Sequence, residues 1–361
     1  MIKNDDHNPY IQAVEVAAPE KKAFQRFKSI KPVAINLQQA SLVKTGYLYP
    51  GETMPLLVQP DDQEVDLADW AINNRSLIES HLVKHGALLF RGFGPQTAEQ
   101  FSRFAQCICV DLLRDNGEHQ REVINEGVYT PVFYPPEKQL LWHNENSFNH
   151  RWPSRILFCC VKPPASGGET PIVDSRRVFA TLNADIKERF VKKGVKYVRT
   201  YGAGAGLDWK IVFQTTSRSE VERQCQETFM DYEWLDGDRL RTSCVRPAVV
   251  THPVTGETTW FNQAQHWHVS CLDQATHTAL RSMFPEDEMP RNCFYGDGSR
   301  IEDSVMTEIL KVYSELQIQF EWQNGDVLLL DNMLTAHGRN QFEGERKLLV
   351  AMGRMLDYAS V

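Results

Sequence analysis

The chain has 361 residues, a net charge of −8, and 42% hydrophobic against 24% charged residues, the balance of a soluble globular protein. No Lys/Arg run exceeds two residues, which argues against nucleic acid as the main partner, because phosphate binding needs a basic footprint. No apolar stretch reaches the length of a membrane span, and the polar N-terminus lacks the apolar core of a signal peptide.

Residues 1–30 are rich in charge and poor in apolar periodicity, so they read as a flexible arm. Helical spacing of Leu67, Trp70, Ala71, Leu77, Ile78 and Leu82 predicts a helix over Leu67–Lys84, which Gly86 ends. Ala87–Phe90 reads as a short buried strand, and Thr97–Leu112 as a second helix. Residues 113–139 have little periodicity and form a candidate binding loop or lid. Strands are predicted at Gln139–Phe148, Arg155–Val161, Thr170–Val173 and Val195–Thr200, with helix over 174–194 between the last two. A strand series from Asp231 to Asn262, a helix at Glu302–Leu316, and strands at Phe320–Trp322, Asp326–Asp331 and Arg346–Leu356 complete the pattern. The expected class is α+β: a β-sandwich or barrel core with helices outside. No linker divides residues 31–361, which read as one domain with insertions at about 174–240 and 264–316. The eight cysteines form no C-x-x-C pair, so buried free thiols in a reducing cytoplasm are expected.

The chemistry centres on His143 and Glu145. On a β-strand residues i and i+2 share a face, so an imidazole nitrogen and a carboxylate oxygen can take neighbouring positions around a metal. A second His would complete the two-His, one-carboxylate facial set that leaves positions open on iron(II). The spacing alone is weak, since random order predicts roughly one such match in this composition. His337, beyond the apolar run Val327–Leu330 and the polar Asp331-Asn332, is the candidate third ligand. Farther on, period two puts Arg346, Leu348, Val350, Met352 and Arg354 on one face. An arginine at the edge of such an apolar face suits bidentate pairing with a carboxylate. His266-x-His268 has no carboxylate nearby and reads as packing or substrate contact rather than a second metal site.

Three segments together resemble the TauD/TfdA family of iron(II)- and 2-oxoglutarate-dependent dioxygenases. They are Trp142-His143-Asn144-Glu145-Asn146-Ser147-Phe148, Pro163–Thr170, and the run from Gly325-Asp326 through Asp331-Asn332 to His337-Gly338-Arg339. The resemblance implies a double-stranded β-helix core (a jelly roll like that of clavaminate synthase) with flanking helices. It implies that His143, Glu145 and His337 hold Fe(II), that Thr170 hydrogen-bonds 2-oxoglutarate, and that Arg346 pairs with its far carboxylate, with Arg354 the weaker alternative. Asp331 and Asn332 would orient the ligands from behind. O2 would be the second cosubstrate, and C–H oxidation the outcome. Desaturation or cyclisation with the same cofactors, and a non-catalytic metal-binding regulatory protein, stand as alternatives. A carboxylate at Glu145 also disfavours halogenation, because related halogenases have a small residue there.

Taurine dioxygenases place a second arginine four residues beyond the 2-oxoglutarate arginine. Val350 stands there in this chain, which disfavours a small sulfonate. Gln139, four residues before His143, aligns with a substrate-contacting position, and Asn146, beside the metal ligands, is a second candidate for substrate contact. Ser41–Thr45, Leu48–Glu52, His85–Phe93 and Thr259–Ala264 are similar to a subgroup that includes the syringomycin-type aspartate β-hydroxylase. The implied substrate is an amino acid or a derivative of one, free or attached to an assembly-line carrier protein. Docking such a carrier would call for a local basic patch near residues 151–155 or 191–199.

Overall fold

A computed structural model describes residues 42–62, 64–94, 96–113, 122–202 and 207–360 of the chain; the N-terminal arm expected at 1–30 lies outside them. Strand Lys347–Asp357 shows how the core is built. Its Leu348, Val350 and Met352 join Ile156, Phe158, Leu328 and Leu330 in one buried cluster, while Leu349 and Ala351 join Leu157, Cys159, Val327 and Leu329 in another. A strand buried on both faces reads as a continuous apolar run, and period two sorts that run into two cores.

These strands belong to an eight-stranded sheet. Its order is Val43–Tyr47, Leu56–Pro60, Ala87–Phe90, Val327–Asp331, Arg151–Lys162, Lys347–Asp357, Val128–Tyr129, Val123–Asn125. Every neighbouring pair is antiparallel except Leu56–Pro60 with Ala87–Phe90. The outer core is closed by helices Leu67–Asn73, Arg75–His85 and Ala98–Ile108, which bury Trp70, Ile78, Leu82, Phe101 and Phe104 there.

The first predicted helix is two helices. Asn74 breaks it: its side-chain Nδ2 donates to the Trp70 carbonyl at 2.8 Å, with φ/ψ of −122°/22°. A short amide that takes a carbonyl from the turn behind it competes with helix continuation. Gly86 ends the second helix as expected, at φ +74°, where a Cβ would lie 2.7 Å from Thr335 Oγ1. Thr97 and Gln100 form a reciprocal capping box at the start of the third helix. That helix stops at Ile108 rather than Leu112, because the chain turns to join the last strand: Leu112 bridges Gly353, and Leu113 N–H donates to the Met352 carbonyl.

Facing the inner core is a three-stranded sheet with Thr335–Arg339 in the middle, flanked by Leu140–His143 and Ile172–Asp174. A four-stranded sheet, Asp231–Leu235, Arg239–Arg246, Val195–Tyr201 and Arg291–Tyr295, packs with helices Ser175–Thr181, Ala184–Lys193 and Asp303–Leu316 in a further core. Phe320–Trp322 is not a strand. Only Ile318 bridges to Ile172, and Phe320 and Trp322 are held by their rings in the inner core. The architecture is α+β, a jelly-roll core with flanking and inserted helices.

Candidate active site

Strand Leu140–His143 delivers the first imidazole. His143 Nδ1 lies 2.9 Å from the Leu141 carbonyl. A carbonyl can only accept, so Nδ1 carries the proton and Nε2 keeps its lone pair. His143 Nε2 is 3.6 Å from Glu145 Oε2.

The route to that proximity differs from the one expected. The strand ends at His143, and Glu145 sits in the turn that follows, in which Asn146 adopts φ +57°. Asn332 supplies the rigidity that a strand would have given. Its Oδ1 accepts from Glu145 N–H at 2.7 Å, and its Nδ2 donates to the Glu145 carbonyl at 2.9 Å and the Pro153 carbonyl at 2.8 Å. Two further buried amides hold the other side, with Gln263 Nε2 on the Asn144 carbonyl and Gln265 Nε2 on that of Trp142, each at 2.7 Å. His143 is thus bracketed by fixed carbonyls.

His337 is not at a strand end either. It lies within the central strand Thr335–Arg339, opposite His143 in register, with ring centroids 4.5 Å apart. Phe158 covers its other side at 5.2 Å. One ligand atom from each of His143, Glu145 and His337 falls within 4.8 Å of the other two, the one such group of three or more His, Cys, Asp or Glu among the described residues. Two imidazoles and a carboxylate at that spacing are the donor set of a non-haem iron(II) site.

Asp331 shapes the turn that feeds this strand. Its Oδ1 accepts from Met333 and Leu334 N–H, while Oδ2 takes Arg155 at 2.7 Å and His252 Nε2 at 3.2 Å. Burial raises a carboxyl pKa, but Arg155, His252 and the Met333 N–H together hold Asp331 below its ordinary value.

The triad opens onto a cavity of about 640 Å³ whose apolar wall includes Ile156, Phe158, Leu348, Val350 and Met352. At one end stand Thr170 and Arg346. Thr170 Oγ1 accepts from Trp322 Nε1 at 3.2 Å and lies 3.4 Å from an Arg346 guanidinium nitrogen, which leaves the hydroxyl proton to donate. Arg346 Nε donates to the Gly168 carbonyl at 2.9 Å. Gly168 (φ +71°) keeps this approach open, since a Cβ there would stand 3.0 Å from Arg346 Cδ. Burial, with the Arg339 charge adding to it, lowers the Arg346 pKa to about 10. Such a cation fits a carboxylate partner.

Arg354 is elsewhere, which corrects the alternation expected along the last strand. Positive φ at Arg354 (+54°) breaks the period, and its side chain, 39% exposed, pairs with Glu79 at 2.9 Å on the helix-covered side. Gln139 and Asn146 both reach the cavity wall, Gln139 at the exposed mouth. His266 lines the cavity and stacks on His143 at 5.1 Å. His268 turns away to Ser270 and the Ile301 carbonyl, so the two do not converge. Arg339 went unassigned in the sequence. Its guanidinium donates to the carbonyls of Tyr134, Pro135 and Lys138 at 3.0, 2.6 and 2.5 Å. It ties down only the end of the segment expected to be a loop, since Val123–Asn125 and Val128–Tyr129 are strands at one edge of the large sheet. The roles of Gln263 and Gln265 were equally hidden, the only signal being several amides in an otherwise aromatic and apolar segment.

Comparison with known proteins identifies the family. The family described as taurine catabolism dioxygenase TauD, TfdA family, matches residues 52–352. The chain is 38% identical over 276 residues, 76% of its length and 84% of the relative's, to the dapdiamide synthesis protein DdaC of Enterobacter agglomerans. It is 25% identical to a clavaminate synthase-like protein of Arabidopsis thaliana, over 84% of this chain and 94% of that one. Among solved structures, PvcB from Pseudomonas aeruginosa superposes with a TM-score of 0.51 at 14% identity, covering 86% of this chain and 90% of that one. A taurine dioxygenase from Burkholderia xenovorans gives 0.50 at 16% identity, over 89% and 93%. At those identities the structures speak for the fold alone. The chain belongs to the TauD/TfdA family and is an Fe(II)- and 2-oxoglutarate-dependent dioxygenase.

Proposed function

We propose that the chain hydroxylates an unactivated C–H bond of an amino acid or amino-acid-derived substrate in the making of a specialised metabolite. The observation that carries this reading is the facial triad of His143, Glu145 and His337 beside the Thr170–Arg346 anchor, in one cavity with an apolar wall. The 38% identical dapdiamide synthesis protein supports the biosynthetic setting.

His143 Nε2, one Glu145 oxygen and a His337 nitrogen would hold Fe(II). Arg346 would pair with the far carboxylate of 2-oxoglutarate while Thr170 donates its hydroxyl proton to the same group. Iron with 2-oxoglutarate bound supplies oxygen activation, driven by oxidative decarboxylation to succinate and CO2. The Leu141 carbonyl keeps the His143 proton on Nδ1, and the Asn332 amide fixes the Glu145 backbone. The wall of Ile156, Phe158, Leu348, Val350 and Met352 excludes water from the reacting face. Gln139 and Asn146, both on the cavity wall, would contact the substrate, and Val350, at the position of the second arginine of taurine dioxygenases, disfavours a small sulfonate held as in those enzymes. The carboxylate at Glu145 favours oxygen insertion over halide transfer.

The screen below separates a free substrate from one carried on a carrier protein. We further read residues 31–361 as one domain acting in the cytoplasm. All eight cysteines are free, and among the described residues no helix is long and apolar enough to cross a membrane.

The test is anaerobic addition of Fe(II) and 2-oxoglutarate, followed by aerobic screening of free and carrier-bound amino acids by mass. A visible charge-transfer band, lost in His143→Ala, and a product heavier by one oxygen are expected. A product lighter by two hydrogens would instead establish desaturation or cyclisation. A band and succinate yield untouched by His143→Ala would overturn the ligand assignment.

A further inference from the structure

Arg199 and Arg291 face each other directly across antiparallel strands Val195–Tyr201 and Arg291–Tyr295. Like charges set opposite each other on a sheet are destabilising, so this pairing carries a cost. The face they occupy is also unusual for two cations. Period two puts Arg199 with Val195, Tyr197 and Tyr201, and Arg291 with Cys293 and Tyr295, all of them buried. The arginines therefore stand on an inward-facing apolar surface, and both line the cavity that holds the metal triad.

Aromatic rings keep them there. The Arg291 guanidinium lies over Trp267 at 5.4 Å and that of Arg199 over Tyr201 at 4.8 Å. Trp267 follows His266, whose ring stacks on His143, and Trp267 and His266 line the same cavity as the triad. No carboxylate lies within ion-pair distance of Arg199 among the described residues. The acidic cavity residues are committed or peripheral: Glu145 belongs to the triad, Asp273 is bound to Lys138 at the mouth, and Glu137 is exposed beside it. In a chain of net charge −8, five Lys or Arg against three carboxylates line this cavity. Arg346 stands just before strand Lys347–Asp357 of the eight-stranded sheet, whereas Arg199 and Arg291 lie in the four-stranded sheet, and the cosubstrate has only one far carboxylate to be paired.

We propose that Arg199 and Arg291 form the anion subsite for the prime substrate, which presents an oxyanion terminus, a carboxylate or a phosphate monoester, to them while its oxidised carbon lies at the triad. This inference rests on the proposed function above and narrows its substrate class. It also separates the two anionic ligands: 2-oxoglutarate on Arg346, the substrate on the arginine pair. Guanidinium forks suit either oxyanion, and fixing the far end of a substrate sets which carbon faces the metal.

The test uses the full chain loaded with Mn(II) and saturated with 2-oxoglutarate without oxygen, titrated with benzoate and separately with phenyl phosphate. Ligand-observed NMR reads both the affinity and the Mn(II)-dependent broadening that locates binding in the cavity. At least one probe should bind with broadening. Arg199→Gln and Arg291→Gln should each weaken it at least about tenfold, the effect of truncating one member of a desolvated charge pair. Arg291→Lys should retain part of the affinity, and 2-oxoglutarate affinity in every variant should stay at the wild-type value, which also shows that the variants fold. Tighter benzoate binding assigns a carboxylate substrate, and tighter phenyl phosphate binding a phosphate-bearing one. If neither probe binds wild type, or both bind the glutamine variants equally well, the subsite is wrong while 2-oxoglutarate binding leaves the proposed function standing. Loss of 2-oxoglutarate binding in wild type would overturn the proposed function itself.

Discussion

Arg346 is half-buried, has no carboxylate within ion-pair distance among the described residues, and has its pKa pulled down by burial to about 10. A cation placed so is destabilised by desolvation, and an anion that pairs with it returns stability to the fold. Arg346→Leu should therefore raise the 2-oxoglutarate dissociation constant by roughly thirtyfold or more, the equivalent of about 2–5 kcal/mol for a truncated charge pair. Mn(II) affinity, measured by electron paramagnetic resonance, should change little, because Arg346 is no part of the triad. The same pairing predicts that 2-oxoglutarate raises the melting temperature of wild type and not of the variant. Unaltered 2-oxoglutarate affinity in Arg346→Leu would remove this residue from the site.

At the scale of elements, the turn between strands Val327–Asp331 and Thr335–Arg339 does what the strand around His143 does not. Glu145 lies past the strand end, and its backbone is fixed on both sides by the Asn332 amide. Asn332→Ala leaves all three ligands in place yet frees the turn that aims one of them. Metal affinity should fall about 10- to 100-fold, the usual range for a lost partner behind a metal ligand. Affinity equal to wild type, with circular dichroism unchanged, would show that the turn holds Glu145 without that amide. This is also where sequence reading reaches its limit. Gly86 and Ala87–Phe90 were legible because a helix stop and a short buried strand are written in adjacent residues. The order of His143, Thr170, His337 and Arg346 was legible as a pattern. The Glu145 turn was not, since its geometry is set by Asn332, far away in the chain. Arg354 failed for a related reason: positive φ turns its side chain off the face that alternation assigns it although the strand keeps its register, and periodicity carries no sign of it. The Asn74 break and the pairing of Arg199 with Arg291 likewise depend on contacts that local spacing does not record.

Across the whole molecule, one charge network ties the outer helices to the metal-bearing strands. Arg155, buried in the long strand Arg151–Lys162, bridges Glu79 of helix Arg75–His85 at 3.0 Å and Asp331 at 2.7 Å, and Glu79 also holds Arg354. Asp331 is fully buried and contacts His252 as well. Removing one partner of a buried pair strands the other charge, so Asp331→Asn should cost about 3–5 kcal/mol in urea unfolding near pH 7. The pH dependence has a definite sign. Asp331 has a folded-state pKa below the ordinary 3.8, so its contribution is complete above that value and is lost as pH falls through the folded pKa. The wild-type advantage over Asp331→Asn should accordingly narrow as pH is lowered below about 3.8, because wild type then loses the same charge. A gap that persists undiminished into strong acid would mean that Asp331 stabilises the turn at Met333 and Leu334 through its hydrogen-bonding shape and not its charge. An absent gap near neutrality would mean that water reaches Arg155 and His252 once the carboxylate is gone, and that the long strand and the metal-bearing turn are joined by apolar packing alone.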